Sequence, residues 1–357
     1  MHTSIDERIA RYKRFYLADK GLMTIAQPAF LDEDKASFIQ PPRFECMDWS
    51  SEKSVRAYAG IVADNFISAT DHFDAIDDDY MPTLQVLAGT GMIGATFVKD
   101  AVLHHEGDTN YLEPPIRSWQ DGVSSIGFDP DNRYFVAQMI MLREYIDRWR
   151  GRHFVLPFTH FDPLDLVNQF RGNEVFYDFF DAPDELHALL DRSTSAIMQL
   201  EAYVRGNFME GYQAQGQGIY CWIPGGSYLS CDIGDMISPA MLQEFDIPYV
   251  ERILRQWGGA YMHHHEMGIH QIATWATCTG LSVQFLNKDP NTRHLGSIVD
   301  DEIIADSRRV PINLICTADE YVQNHAYWAE GRFITWVGCK TQSQSEDIVR
   351  LAQRYRA

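Results

Sequence analysis

A regular alternation of short β-rich runs with longer helical segments is the feature that most constrains the fold of this sequence. Eight runs have strand character, at positions 22–26, 83–88, 154–158, 218–222, 260–265, 281–285, 312–316 and 333–337. Apolar residues recur with a helical period between or after most of them, at 131–150, 183–207, 239–257, 268–277, 318–330 and 345–357. Alternating strands and helices predict a parallel sheet with helical crossovers, and eight such units predict an α/β fold of the (β/α)8 TIM barrel type.

The first 60 residues are predicted to form a helix and an arm ahead of the barrel. A helix is expected over 5–19, and the irregular stretch 27–49 contains Pro28, Pro41 and Pro42. No later stretch has the composition of a linker, and a chain of 357 residues is long enough for one large barrel. We therefore expect a single domain over 1–357, with 1–60 as its N-terminal helix and arm.

A doubly wound open sheet is the alternative fold. Residues 89–94, Gly-Thr-Gly-Met-Ile-Gly, match the Gly-x-Gly-x-x-Gly pattern of dinucleotide-binding turns. A lone match of this kind is weak, and no acidic residue ends a following strand at the distance where it would bind a ribose. The barrel is therefore the predicted fold.

Composition excludes several classes of function. The formal net charge of −20 disfavours binding to nucleic acid, which needs clustered Lys and Arg, and binding to an anionic membrane surface. No apolar run approaches the roughly 18 residues of a membrane helix, and the first 20 residues are charged, unlike a signal peptide. The six cysteines are scattered, which is typical of reduced thiols. We expect a cytoplasmic protein without a disulfide scaffold.

Polar and metal-binding residue types follow the predicted strands. In a (β/α)8 barrel the C-terminal ends of the strands form the active site. The strand ends here supply His160, Asp162, Trp222, His263, His265, Gln284, Asn287, Cys316 and Cys339. This concentration predicts a site at that end of the barrel, although Cys316 is better explained as a small buried apolar residue.

Three consecutive histidines end the fifth predicted strand. Side chains alternate along a strand, so His263 and His265 share one face and His264 lies on the other. A His-x-His pair on one strand can chelate Zn²⁺, with a third ligand from elsewhere in the chain. The alternatives are direct contact with a substrate, acid–base catalysis, and histidines that are incidental to the surface.

Acidic residues occur in two further places. Asp232 and Asp235 precede a helix that Ser238 and Pro239 are expected to begin. Their carboxylates either face the site as acid, base or orienting groups, or interact favourably with the helix N-terminus. The acidic run at 74–79 is interpreted as a solvated loop.

The segment 232–253 carries a family resemblance. Its sequence, DIGDMISPAMLQEFDIPYVERI, resembles a segment of the uroporphyrinogen decarboxylase superfamily, which also contains cobalamin-dependent methyltransferases. Residues 165–172 and 177–185 and the final Gly338-Cys339 are further matches, and the resemblance covers roughly residues 80 to 350. It implies a (β/α)8 barrel.

Within this superfamily the sequence resembles the methyltransferase branch more closely. The arginine-containing element that binds porphyrin carboxylates in true uroporphyrinogen decarboxylase is not visible in 1–60, and the net charge of −20 suits a polycarboxylate poorly. In the methyltransferase branch a His-x-Cys pair after strand five and a distal cysteine hold zinc, which activates a thiol to attack the methyl group of a corrinoid.

The zinc ligands transfer from the family in two ways. The distal cysteine corresponds to Cys339. Alignment on Gly268 matches His265 to the family histidine and puts Met267 where a cysteine is expected, whereas alignment on the spacing gives His263 and His265. Because methionine is a poor zinc ligand, we prefer the second alignment, which makes the site less rich in thiolate than that of the family.

The sequence thus predicts a zinc-dependent methyltransferase that moves a methyl group between a corrinoid and a small acceptor. His263, His265 and Cys339 would hold Zn²⁺, with Asp232 and His264 as catalytic groups. The residues expected to contact the substrate are Trp222, Tyr228, Gln284 and His160. The corrinoid would arrive on a partner protein, because no Asp-x-His-x-x-Gly element for binding it occurs here. Apart from the small-molecule substrate and this corrinoid protein, a second copy of the chain in a homodimer is the expected partner.

Three other functions are kept open. The first is a cofactor-free decarboxylase or lyase, in which the histidines and Asp232 act as acid and base and Arg171 or Arg293 binds a carboxylate. The second is a metal-dependent hydrolase on the same barrel, although the His-x-His pair of amidohydrolases lies at the first strand. The third is a non-catalytic binding protein, whose barrel mouth would be lined by apolar residues around His263.

Overall fold

The computed structural model describes residues 4–26, 39–70, 75–107, 109–120, 122–148, 154–156, 160–208 and 220–356. Its centre is a seven-stranded sheet in which neighbouring strands are parallel, in the order β1-β11-β10-β9-β8-β7-β6. These strands are β1 (Gly21–Ile25), β6 (His160–Phe161), β7 (Ser227–Ser230), β8 (Ala260–His265), β9 (Val283–Asn287), β10 (Ile312–Thr317) and β11 (Arg332–Gly338).

Two further strand pairs lie outside this sheet. β2 (Thr83–Gln85) pairs in parallel with β5 (Phe154–Leu156), while β3 (Leu103–Glu106) and β4 (Thr109–Leu112) form an antiparallel hairpin. Within the described ranges, no strand pairing joins β1 to β2. The described fold is therefore a mixed α/β structure around a parallel sheet.

Helices connect most consecutive strands and pack against the sheet. They are α1 (Ile5–Leu17), α2 (Glu52–Thr70), α3 (Thr90–Ala95), α4 (Arg133–Arg148), α5 (Pro163–Arg171), α6 (Val175–Asp181), α7 (Pro183–Phe208), α8 (Pro239–Phe245), α9 (Ile247–Trp257), α10 (Ile272–Trp275), α11 (Asp301–Arg309), α12 (Ala318–Trp328) and α13 (Gln342–Ala352). None of the helices in the described part of the chain is long and apolar enough to cross a membrane.

Most of the predicted elements lie close to their predicted positions. The strand predicted at 260–265 coincides with β8, and the helix predicted at 5–19 is α1. Ser238 begins α8 as predicted, since its hydroxyl accepts the Met241 backbone N–H at 3.3 Å. The helix predicted over 239–257 is two helices, because the backbone breaks at Asp246 and Pro248 starts the second.

Of the fourth predicted strand, 218–222, the structure describes residues 220–222, where Trp222 forms a β-bridge but no extended strand. The strand of the central sheet is β7, which begins at Ser227 after a turn at Gly225 and Gly226 with φ of 83° and 73°. Within the described part of the run, Cys221 is fully buried.

The two faces of the strands contribute to different apolar clusters. Leu229 and Met262 belong to the large cluster that the outer helices cover. Their neighbours in sequence, Tyr228 and Tyr261, point to the opposite face and pack with Phe285 in a second, largely aromatic cluster. Alternation along β7 and β8 therefore separates a helix-covered face from an aromatic face, and the latter also carries His263.

Part of the acidic run before β2 is buried, so its interpretation as a solvated loop was wrong for Asp78 and Asp79. The Asp77 side chain is 42% exposed, and Asp74 lies outside the described residues. Asp78 and Asp79 are both 0% exposed. Asp79 accepts the Thr24 backbone N–H at 2.8 Å, and its other oxygen faces Arg11 at 3.3 Å and Arg356 at 3.5 Å. The run is thus a clamp that joins α1, β1 and the C-terminal residues.

Candidate metal centre

Two adjacent strands bring one carboxylate and two imidazoles together. Asp232 follows β7 at the start of a short 3₁₀ helix (Ile233–Met236), while His263 and His265 share one face of β8. Asp232 Oδ1 lies 3.7 Å from His263 Nε2 and 3.5 Å from His265 Nε2. The three side chains have one ligand atom each within 4.8 Å of one another.

This donor set fits a divalent transition metal. Ligands of a tetrahedral zinc ion lie about 2.0–2.1 Å from it and hence about 3.3–3.4 Å from one another. The two measured separations, 3.7 and 3.5 Å, differ from this spacing by a few tenths of an ångström. Two imidazoles and a carboxylate are a ligand set that zinc enzymes and non-haem iron enzymes use.

His263 is in a state suited to metal binding. Its ring is stacked between Tyr228, at a centroid distance of 6.2 Å, and Phe285, at 5.4 Å. Burial, together with His265 and His264, lowers the pKa of His263 to about 3. The imidazole is therefore neutral at pH 7, which is the form that binds metals.

Asp165 holds the backbone that carries Asp232. One of its carboxylate oxygens accepts the N–H of Asp232 at 2.8 Å, and the other accepts the N–H of Ile233 at 2.9 Å. Ser230 donates its hydroxyl to Asp232 Oδ1 at 3.0 Å. Two of these hydrogen bonds fix the backbone at Asp232, and the third fixes its carboxylate. The Asp232 side chain is 49% exposed.

Asp235 and His264 are buried on the side of β8 that faces away from Asp232. Asp235 accepts the His265 backbone N–H at 2.8 Å through Oδ2, and its Oδ1 is 3.6 Å from His264 Nδ1. His264 is 0% exposed, and neither of its ring nitrogens has a hydrogen-bond partner among the described residues. Gln271 donates to the carbonyls of Gly234 and Ile237, both at 2.8 Å, and so holds the 3₁₀ helix against β8.

The structure corrects two predicted roles. His264 points away from Asp232 into the buried layer, so it cannot contact a substrate as a catalytic group. Gln284 is also 0% exposed, and its amide donates to the Ile272 carbonyl at 3.2 Å. The β8–β9 register pairs His263 with Phe285, which leaves Gln284 on the face opposite the site.

The other predicted substrate contacts occupy different places. Tyr228 is beside His263 but 4% exposed, so it forms part of the floor of the site. Trp222 packs against α1, with its ring 6.0 Å from that of Tyr16. His160 lies in β6, and its side chain lies outside what the structure describes.

The predicted third zinc ligand is not brought into the group. Cys339 follows β11 and is 1% exposed within the apolar cluster that β10, β11 and α13 share. Burial raises the pKa of its thiol, and a hydrogen bond with Ser345 opposes this effect. Among the described residues, Asp232 joins the two histidines where Cys339 was expected.

A second carboxylate cluster lies near β7. Asp162, Cys231 and Asp246 are fully buried, and Cys231 donates its thiol to Asp246 Oδ2 at 3.3 Å. Burial raises the pKa of Asp246 to about 7 and that of Asp162 well above its ordinary value, to which the neighbouring Asp246 carboxyl also contributes. Burial therefore favours the protonated, neutral form of these carboxyls, and the cluster is closed off from the exposed side of Asp232.

Two residues of the site were missed by sequence reasoning. Asp289 accepts a hydrogen bond from the His265 ring, with Oδ1 2.8 Å from Nδ1, and Asp165 supports Asp232. Asp289 comes two residues after Asn287, which ends β9. Asn287 was among the residues predicted for the site, so the correct strand end was identified but not this residue. Asp165 lies in a segment noted only for its family resemblance.

Comparisons with known proteins add no identification. No family model matches the chain, and no curated protein matches it.

Proposed function

We propose that this protein is a zinc-dependent enzyme whose metal is held by Asp232, His263 and His265. The observation that carries this proposal is the convergence of one carboxylate oxygen and two imidazole nitrogens at 3.5 and 3.7 Å. This set of ligands differs from the set predicted from the sequence, because Asp232 takes the place of Cys339.

The orientation of the imidazoles supports a cation at this point. Asp289 accepts a hydrogen bond at His265 Nδ1, so Nε2 is the nitrogen of His265 that faces Asp232. His263 is neutral and also directs Nε2 towards Asp232. A divalent cation bound to both of these nitrogens would be attracted by the Asp232 carboxylate.

The bound metal would act as a Lewis acid that lowers the pKa of a thiol or water bound to it. Asp232 supplies one negative charge and the two histidines supply none, so the site would keep a net positive charge with a divalent ion. Such a site favours the ionised form of a substrate thiol. The exposed side of Asp232 is the open side from which a substrate can enter.

We propose methyl transfer from a corrinoid protein to a small thiol as the reaction. The resemblance of 232–253 to cobalamin-dependent methyltransferases supports it, and so does a site that can ionise a thiol. The thiolate sulfur would form a bond to the methyl carbon, the cobalt–carbon bond would break with its electron pair left on cobalt, and the thiol proton would pass to solvent. The acceptor held in the site therefore has a free thiol.

We propose that the sheet closes as a (β/α)8 barrel, as this reaction class would imply. The strand order is compatible with one: β5 pairs with β2, β6 pairs with β7, and only three residues of the chain separate β5 from β6. Between β1 and the segment before β2, hydrogen bonds join Thr24 and Asp79 in both directions, at 2.8 and 3.0 Å.

A metal-free lyase is the second candidate. The 2.8 Å contact between His265 and Asp289 favours it, because a carboxylate that orients an imidazole also makes a general base. The role of Arg171 in that scheme was wrong: its guanidinium is buried and pairs with Asp178 at 2.7 Å, so it does not face the site. Arg293 is exposed beyond β9.

Metal analysis tests the proposal. Wild-type protein should purify with about one zinc per chain, Asp232→Ala and His265→Ala should lose it, and Cys339→Ser should keep it. His104→Ala, which removes an exposed histidine on β3, is the matched control. Metal-free wild type that keeps full activity after chelation would overturn the zinc proposal and favour the lyase.

The reaction is tested separately with methylcobalamin and 2-mercaptoethanol as probes. Loss of the methylcobalamin absorbance, dependent on zinc and abolished in Asp232→Ala, is the expected result. Zinc binding without any turnover of methylcobalamin or of a methylated carrier protein would overturn methyl transfer while leaving the metal site intact.

A further inference from the structure

We infer that Asp289 is a positioning residue that fixes the ring of His265 so that Nε2 binds the metal. This inference rests on the proposed function for the identity of the ligand, but the orientation of the ring can be tested without metal. Carboxylates that accept a hydrogen bond from a metal-binding histidine set its tautomer and its angle.

The contacts of Asp289 reach both the ring and the backbone. Oδ1 lies 2.8 Å from His265 Nδ1, and Oδ2 accepts the Met267 backbone N–H at 3.1 Å. Asp289 follows β9, the strand next to β8, and its side chain is 17% exposed. One carboxylate therefore holds the imidazole and the turn that follows it in a single position.

This contact leaves one nitrogen of His265 for the metal. A carboxylate can only accept a hydrogen bond, so the ring N–H that faces Asp289 is on Nδ1. Nε2 is then the nitrogen that faces Asp232, 3.5 Å away. Without Asp289, the proton could move to Nε2 and donate to Asp232, which would block the ligand position.

The two histidine ligands are held by different means. His263 Nδ1 is buried and has no hydrogen-bond partner within the described part of the chain, so ring stacking on Tyr228 and Phe285 sets its orientation. Only His265, at 27% exposure the more open of the two, needs a carboxylate to hold it. Asp289 therefore acts on one ligand and not on the whole site.

The experiment compares Asp289→Ala with Asp289→Asn and with Glu106→Ala, which removes an exposed carboxylate on β3. Zinc affinity is measured by competition with a chromophoric chelator. The Ala variant should bind about 10- to 100-fold more weakly than wild type. The Asn variant should lose less, since its amide oxygen can still accept the Nδ1 proton, and Glu106→Ala should bind as wild type does.

The second readout is the ¹⁵N NMR spectrum of the histidines in metal-free protein at pH 8. Wild-type His265 should have its proton on Nδ1, and Asp289→Ala should show a mixture of tautomers. An unchanged His265 tautomer in Asp289→Ala would overturn the inference even if zinc binds. If wild type binds no zinc, the NMR result still decides whether Asp289 orients the ring, so the two proposals fail separately.

A merely structural role for Asp289 predicts a different pattern. Loss of the Met267 contact alone would lower the thermal stability and leave the tautomer unchanged. If Asp289→Ala does not fold, Asp289→Asn provides the same test, because a neutral amide holds the Nδ1 proton more weakly than a carboxylate does.

Discussion

The Asp235 carboxylate occupies the space where a side chain at Gly268 would lie. A Cβ at position 268 would be 1.7 Å from Asp235 Oδ1 and 3.2 Å from His264 Nδ1. The other oxygen of the same carboxylate accepts the His265 backbone N–H. Because residue 268 is a glycine, the buried Asp235 carboxylate can lie against it and support β8, the strand that carries both histidines.

Gly268→Ala should consequently disturb both stability and the site. We expect a loss of about 1–3 kcal/mol in the free energy of unfolding, because the methyl group must displace the buried Asp235 carboxylate. Zinc affinity should fall in parallel, since His265 loses its backbone support. Urea denaturation and chelator competition measure the two effects. Gly127→Ala, where the added Cβ meets open space, is the control, and equal behaviour of the two variants would contradict this account.

Removal of one partner of the buried Arg171–Asp178 pair should strongly destabilise the protein. Their two hydrogen bonds measure 2.7 and 2.9 Å, and the guanidinium also donates to the Ile116 carbonyl at 3.0 Å. Arg171→Met leaves Asp178 as a buried, unpaired charge and should cost about 3–5 kcal/mol. The double variant with Asp178→Leu should recover much of that loss in urea denaturation. A double variant less stable than the single one would show that the pair is not the cause.

The free energy of unfolding should fall as pH rises, because the buried Asp246 carboxyl holds its proton in the folded state. Burial raises the pKa of Asp246 from an ordinary 3.8 to about 7, so the folded state holds a proton that the unfolded state releases. Its contribution is complete below about pH 4 and is lost between about pH 4 and 7, at up to about 1.4 kcal/mol per pH unit. Asp246→Asn should remove this slope, as measured by denaturation at several pH values.

The matched control for that series is Asp184→Asn, which changes an exposed carboxyl at the start of α7. It should keep the wild-type slope. A wild-type slope retained in Asp246→Asn would mean that the protonation of Asp246 is not its cause.

One thiol should react quickly with Ellman's reagent in the native protein. Cys46 is exposed, and the other five cysteines are buried. Burial raises the pKa of the Cys339 thiol as well, which lowers its thiolate content further. The fast phase should disappear in Cys46→Ser. A fast reaction of Cys339 would instead show that this residue is accessible and available to a metal.

Much of the fold was predictable because strand and helix periodicity is a local property. β8 and α1 were placed closely, as were the ends of α7. β7 was misplaced because the apolar run at 218–222 resembles a strand, whereas the turn at Gly225 and Gly226 makes β7 begin at Ser227. The hairpin of β3 and β4 was not predicted, since each strand has only four residues and β3 has no fully buried position.

The site was predictable where alternation along one strand decides the outcome. It placed His263 and His265 on the same face. The same rule applied to β9 puts Gln284 and Asn287 on opposite faces, so only one of them could face the site. The register of β8 against β9 could not be read from sequence, and neither could the approach of Asp232 from another strand. Asp289 and Asp165 act through hydrogen bonds between segments far apart in the chain, which no local pattern records.

The clamp around Asp79 also couples segments that are far apart in the chain. Arg11 lies in α1 and Arg356 follows α13, yet both contact the same buried carboxylate. That carboxylate in turn accepts the Thr24 backbone N–H of β1. The first strand of the sheet is therefore supported by an acid whose charge is balanced from both the first helix and the residues after the last one.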